Sequence, residues 1–113
     1  MDFYTPRPIT FRAWDVENKL LVRLDSISCV KGELFKKGHI LLQYTGMVDK
    51  QGGQLFEMDV VLIGPQKFLV QWSIERGCWS YGPLQAGALR DILTAQTAST
   101  MLRLCSYFES KEA

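Results

Sequence analysis

Apolar and polar residues alternate through most of the chain up to Tyr81, as expected for strands with one buried face. The alternating runs cover residues 9–14, 20–30, 39–47, 55–63, 68–74 and 78–81. Polar or glycine-containing turns separate them, and the Gly52-Gly53 pair suits a tight hairpin because glycine accepts a positive φ. Turns at intervals of about 8–12 residues predict an antiparallel β meander of the kind found in small barrels and sandwiches.

The pattern changes after Pro83. Apolar residues between Leu84 and Ala98 recur close to helical spacing, which predicts one short helix with Pro83 at its start and Gly87 weakening it. Periodicity alone leaves residues 101–108 open between a final strand and a second helical segment. The chain is therefore expected to be mainly β, in the α+β sense, with one short helix.

Length and composition are those of one globular domain spanning residues 1–113, with 47% hydrophobic and 22% charged residues. A chain of this size needs no metal or disulfide to stabilise its core. It has neither an apolar run of about 18 residues nor the pattern of a signal peptide, so we expect a cytoplasmic protein that does not contact membrane. The three cysteines, Cys29, Cys78 and Cys105, are expected to be free thiols buried as small apolar groups.

The charge balance disfavours broad, salt-driven binding of nucleic acid. The 13 basic residues nearly cancel the 12 acidic ones, leaving a net charge of +1. The densest basic group, Lys31 with Lys36 and Lys37, is interrupted by Glu33 and is better explained as a solvated loop.

Three stretches carry a resemblance to a known family. They are FRAWD with ENK (residues 11–19), QYTGMVDKQGGQLFEMDVV (residues 43–61) and LCSYFESKE (residues 104–112). Together they resemble the YopX family of bacteriophage and prophage proteins, which shows F-R-A-W-D, then Q-Y-T-G-L-x-D-x-N-G-K-x-I-Y-E-G-D-I-V, then I-G-N-I-Y-E-N-P-E. This alignment makes residues 101–108 a closing strand.

The resemblance implies an N-terminal β-hairpin region (1–38) and an SH3-like barrel region (39–113), in a phage or prophage setting and without an assigned activity. Met58 stands where the family has glycine, a residue that would permit a bulge or close backbone approach. Gly53 and Lys111 also depart from the pattern. Residues 83–100 match least and are expected to be a divergent insert.

Candidate chemistry is sparse. Glu57 and Asp59 are two positions apart on a predicted strand and could share a face, which raises a metal or acid–base hypothesis. A metal would need more oxygen ligands, so a solvated polar face is the preferred interpretation. Phosphate-binding loops, nucleophile elbows and zinc-binding helix motifs are missing from the sequence. We therefore predict a protein that is not an enzyme and uses no cofactor or metal.

The FRAWD segment contains one candidate binding residue. Arg12 could form a cation–π contact or part of a ligand surface. Trp14 is expected to pack in the core because aromatic side chains bury a large area. Asp15 is expected to order the following turn through its side chain.

Four aromatic residues, Tyr44, Trp72, Trp79 and Tyr81, are candidates for a binding face, since SH3-like barrels present aromatic grooves between loops. Trp72 is in phase with Val70 and Ile74 and is assigned to the core. Trp79 and Tyr81 share one phase in a short hairpin and are the better candidates for exposure. Tyr44 and Arg12 complete the predicted binding set.

The leading functional hypothesis is a phage-encoded accessory protein that binds a host or phage protein, with counter-defence inhibition as one version. The alternative is a nucleic-acid-associated module in phage replication or regulation, which a basic patch beside Trp79 and Tyr81 would favour. An enzyme using Glu57 and Asp59 is a third hypothesis. Self-association through sheet edges or residues 83–100 also remains open.

Overall fold

The computed structural model describes residues 3–112. They form, in order, β1 (Phe11–Asp15), β2 (Leu20–Arg23), β3 (Ser28–Val30), β4 (Glu33–Phe35), β5 (His39–Val48), β6 (Gln54–Phe56), β7 (Asp59–Ile63), β8 (Gln66–Ser73), β9 (Cys78–Pro83), β10 (Asp91–Ile92), α1 (Ala95–Ala98), β11 (Leu102–Ser106) and α2 (Tyr107–Glu112). In this part of the chain, no helix is long and apolar enough to cross a membrane.

The first sheet is antiparallel, with strand order β2-β1-β5-β6. The β1–β2 turn is ordered as predicted, because the Asp15 carboxylate accepts bonds from the backbone N–H and side-chain amide of Asn18 at 3.1 and 2.9 Å. Trp14 of β1 is buried and stacks on Phe108 of α2 at a centroid distance of 5.8 Å. The prediction that Trp14 belongs to the core is confirmed.

The second sheet is antiparallel with the order β10-β9-β8-β7-β11, and it curls into a half-barrel. The main core is formed by residues of this sheet together with residues of β6 and α1. The buried members of that core are Leu55, Val61, Val70, Leu93, Ala98 and Met101. The prediction of a mainly β protein is confirmed.

The chain passes from the first sheet to the second at Met58. Residues 55–63 were expected to form one strand, but Glu57 and Met58 form a turn between β6 and β7, and Met58 has a φ of +66°. The Met58 N–H donates to the Val70 carbonyl and its own carbonyl accepts from the Tyr107 N–H, both at 2.7 Å. This is the position of the family glycine, and the left-handed backbone accounts for that preference.

The prediction of a helix from 84 to 98 is wrong. Gly87 has a φ of +77°, Asp91 pairs with Tyr81 as a short edge strand, and the helix is confined to Ala95–Ala98 after the N-cap Thr94. The closing strand implied by the resemblance is present as β11. Helix α2 after it was not predicted.

Strands β3 and β4 form a separate two-stranded sheet, and every residue of the two strands is exposed. Its Lys31-Gly32 turn has φ values of +51° and +83°, as a two-residue type I′ turn requires. Cys29 lies on this hairpin and is exposed, so the prediction of a buried thiol is wrong there. Cys78 and Cys105 are partly buried, and all three thiols are free.

Candidate functional site

Asp59 belongs to an internal ion pair and not to a solvated face. It is 1% exposed, and its Oδ2 accepts from Arg103 Nε at 2.9 Å and from the Phe56 N–H at 2.8 Å. Burial raises the pKa of Asp59, and the hydrogen bond and positive charge of Arg103 oppose that rise. The expectation of a solvated polar face is wrong for this residue, because its partner lies on the distant β11.

Arg12 is partly buried and packs on a neighbouring aromatic ring. Its guanidinium carbon lies 4.3 Å from the centre of the Phe56 ring, which is the cation–π contact considered from the sequence. Burial and the nearby Arg103 charge lower the pKa of Arg12. Arg12 on β1 and Phe56 on β6 belong to the same sheet, so this contact lies within the first sheet.

Asp49 has a structural role at the hairpin that follows β5. Its Oδ1 accepts from the N–H groups of Gln51 and Gly53 at 2.9 and 2.8 Å, and its Oδ2 accepts from the Arg103 N–H at 2.9 Å. Burial alone would raise the pKa of Asp49, but these backbone hydrogen bonds outweigh it and lower the pKa. Asp49 and Asp59 therefore both bind Arg103 of β11, Asp49 through the Arg103 backbone N–H and Asp59 through the Arg103 side chain.

Two of the four aromatic candidates are occupied by internal packing. Tyr44 is only 8% exposed and packs on Phe56 at a centroid distance of 5.6 Å, so it does not present a binding face. Tyr81 is partly buried against the core and meets Phe68 edge to face at 5.7 Å. Trp79 is likewise partly buried against the core, so of the four candidates Trp72 is the exposed one.

Trp72 is exposed, contrary to the prediction that placed it in the core. Val70, two positions earlier on the same face of β8, is 0% exposed, whereas Trp72 is 44% exposed. The β8–β9 hairpin extends beyond the layer that covers Val70. Trp72 instead packs against Trp79, its direct cross-strand partner, with ring centroids 5.1 Å apart and planes at 80°.

Two clefts meet at Trp72. One has a volume of about 450 Å³ and lies between the β8–β9 turn and residues 87–90, where Ile74 and Leu89 are 89% and 92% exposed. The other has a volume of about 320 Å³ and is lined by Arg7, Gln43, Glu57, Trp72 and Trp79. We call Trp72, Trp79, Glu57, Ile74 and Leu89 the Trp72 surface.

Glu57 is the acidic group of the smaller cleft. Its N–H donates to the Gln43 carbonyl at 2.8 Å, which fixes the turn that presents its side chain. Desolvation raises the pKa of the Glu57 carboxyl group, and hydrogen bonding of that group to the Gln43 backbone opposes the rise in part. Within the described part of the chain, no basic side chain forms an ion pair with the Glu57 carboxylate.

Among residues 3–112, no group of three or more His, Cys, Asp or Glu side chains could hold a metal ion. The single histidine, His39, has its Nδ1 2.9 Å from the Lys37 carbonyl and its Nε2 3.8 Å from Asp15. The Trp72 surface thus offers aromatic and aliphatic contact area with one carboxylate at its side.

These features define a small antiparallel β protein with an exposed aromatic surface at one end of its half-barrel. Residues 22–100 match the family model described as YopX protein, so the chain belongs to the YopX family, as the sequence motifs indicated. The crystal structure of protein EF1440 from Enterococcus faecalis is similar in fold, with a TM-score of 0.65 and 16% identity over 95% of this chain and 98% of that one. No curated protein sequence matches this chain.

Proposed function

We propose that this protein is a phage- or prophage-encoded accessory protein that acts by binding a protein partner through the Trp72 surface. The observation that carries the proposal is the exposure of Trp72 between two clefts, 44% open to solvent and backed by Trp79. Tryptophan is enriched among residues that dominate binding energy, and an exposed tryptophan with clefts on both sides can be buried by a complementary protein surface.

The aliphatic side of the surface supports a protein partner. Ile74 and Leu89 are almost fully exposed beside Trp72, and a cluster of this kind marks an interaction site more often than an isolated apolar residue does. Occupying a host surface in this way would account for counter-defence inhibition without any catalytic group.

The charges around Trp72 argue against the nucleic-acid alternative. Arg7, Arg76 and Arg90 line the two clefts, but Glu57 and Glu75 lie among them. The Arg76 guanidinium also donates to the Arg90 carbonyl at 3.1 Å. A phosphate backbone would therefore meet carboxylates where a basic patch is needed.

The test is affinity capture from a lysate of the natural host with the wild type, Trp72→Ala and the control Leu20→Ala. Leu20 is 57% exposed on the edge strand β2, away from both clefts. We expect a single protein that is retained after nuclease treatment and at raised salt. Trp72→Ala should weaken its binding about 30-fold, the size of a 2 kcal/mol hot spot, and Leu20→Ala should leave it unchanged.

Two results would count against the proposal. Retention of the same protein by a correctly folded Trp72→Ala variant would remove the Trp72 surface from binding. Capture that disappears with nuclease or salt would identify nucleic acid as the partner.

A further inference from the structure

We propose that the cleft formed by Glu57, Trp72 and Trp79 binds a lysine or arginine side chain of the partner protein. This inference rests on the proposed function and adds the chemistry that the smaller cleft recognises. It concerns the side of Trp72 that faces Glu57, whereas Ile74 and Leu89 lie on the other side.

The two tryptophans provide the walls that a cation requires. Their ring planes are 80° apart and their centroids 5.1 Å apart, so they form a corner in which ring surfaces point in two directions. The electron-rich face of an indole attracts an ammonium or guanidinium group more strongly than other aromatic side chains do. Because Trp72 and Trp79 are opposite each other on paired strands, the corner exists before any ligand arrives.

The Glu57 carboxylate supplies the negative charge that would pair with a bound lysine or arginine side chain. This carboxylate is partly withdrawn from water, and no basic side chain of the described residues forms an ion pair with it. A partly desolvated carboxylate without a counter-ion is unfavourable, and an incoming cation would relieve that cost. The aromatic walls and the carboxylate thus select for positive charge together.

Arg7 also lines this cleft and could compete for the same place. It lies in the extended segment before β1 and is exposed, and it forms no ion pair with Glu57 in the described structure. Three residues after Arg7, the Thr10 carbonyl accepts a hydrogen bond from the Tyr44 N–H, which joins this segment to β5. Arg7 therefore borders the cleft without neutralising its carboxylate.

The cleft has the size for one side chain. Its volume of about 320 Å³ is at the lower end of the range of about 300–1,000 Å³ found for small-ligand pockets. A lysine or arginine side chain can enter from a partner surface while its backbone stays outside, against the exposed edge of Trp72.

The experiment is a titration of isotopically labelled protein with three blocked tripeptides, acetyl-Gly-Lys-Gly-amide, acetyl-Gly-Arg-Gly-amide and the neutral acetyl-Gly-Gln-Gly-amide. NMR signals of the indole N–H groups of Trp72 and Trp79 report binding, and that of the buried Trp14 is an internal control. We expect the Lys and Arg peptides to shift the Trp72 and Trp79 signals saturably and the Gln peptide to bind at least about tenfold more weakly. Glu57→Gln should weaken binding of the cationic peptides by about the same factor, and Arg7→Ala, which removes a competing cation from the cleft lining, should bind them more tightly.

Equal shifts with the Gln peptide, or an unchanged affinity in Glu57→Gln, would overturn the inference. So would a loss of binding in Arg7→Ala, because Arg7 would then be the group that contacts the ligand. The two proposals fail separately. If Trp72→Ala releases the captured partner and Glu57→Gln retains it in full, the Trp72 surface binds a protein but the cation subsite is wrong.

Discussion

Met58 allows a test of the backbone at the crossing between the two sheets. With a φ of +66°, this residue occupies the left-handed region, where a Cβ is strained and glycine is not. The two variants to compare are Met58→Ala and Met58→Gly. Both substitutions remove the side-chain contacts of Met58, including the hydrogen bond from Gln71 Nε2 to Met58 Sδ at 3.8 Å. The difference in stability between the two variants therefore reports the backbone preference at this position.

The expected difference follows from two opposing terms. A Cβ in the left-handed region costs about 1–2 kcal/mol, which glycine avoids. Glycine in turn loses about 0.5–1 kcal/mol more conformational free energy than alanine on folding. Met58→Gly should therefore be more stable than Met58→Ala by about 0.5–1 kcal/mol, or about 2–4 °C in Tm for a domain of this size.

Urea and thermal unfolding of both variants measure this difference, and Lys67 provides the matched control. Lys67 is exposed on β8 and is not among the residues with positive φ. There the order should reverse, with Lys67→Ala more stable than Lys67→Gly by about 0.5–1 kcal/mol. If alanine is at least as stable as glycine at both positions, Met58 is not strained and the account of the sheet crossing is wrong.

Two further substitutions test the contacts that hold the second sheet. Asp49→Asn would turn an amide NH₂ toward the Arg103 N–H and cost about 1–3 kcal/mol. Because the pKa of Asp49 is lowered by folding, its contribution is present above the unfolded pKa of about 3.9 and is lost as pH falls through the folded value. The difference in unfolding free energy between wild type and Asp49→Asn, measured by urea titration, should narrow as the pH falls below about 3.9. A difference that stays constant with pH would contradict the assigned role. Gly82→Ala would place a Cβ 2.8 Å from Arg90 Nη1 and 3.0 Å from the Leu89 carbonyl oxygen, so denaturation should show a loss of about 1–3 kcal/mol. Arg90→Ala in the same chain should recover part of this loss, and full additivity of the two changes would show that the side chains do not meet.

Local patterns were sufficient to predict much of the β structure. Alternation placed β1, β5, β8 and β9 close to their observed positions, and Asp15 next to Asn18 identified a turn whose hydrogen bonds are entirely local. The closing strand could not be separated from a helix by periodicity. It was predicted from the resemblance, which supplied information about the position of the segment in the whole fold.

The errors arose where distant residues decide the outcome. Asp59 is buried because Arg103, 44 positions later, reaches its carboxylate, and no local pattern signals that partner. The turn at Glu57-Met58 interrupts a run that alternates like a continuous strand, since the side-chain pattern does not report a positive φ at methionine. The family glycine at that position was the available signal, because glycine is the residue that tolerates such a backbone.

Trp72 shows why an exposed aromatic residue is harder to predict than a core residue. Its phase on β8 matches that of Val70, so periodicity assigns both to the same face, but the face is covered only as far as Val70. Where the covering layer ends depends on the placement of α1 and the first sheet, which are built from other parts of the chain. Trp79 then keeps Trp72 ordered at the exposed end, so that the indole loses little freedom on binding. The sequence pattern does not report that the Trp72–Trp79 pair extends beyond the core, whereas the structure does. This exposed aromatic pair is the reason for proposing a binding surface at Trp72.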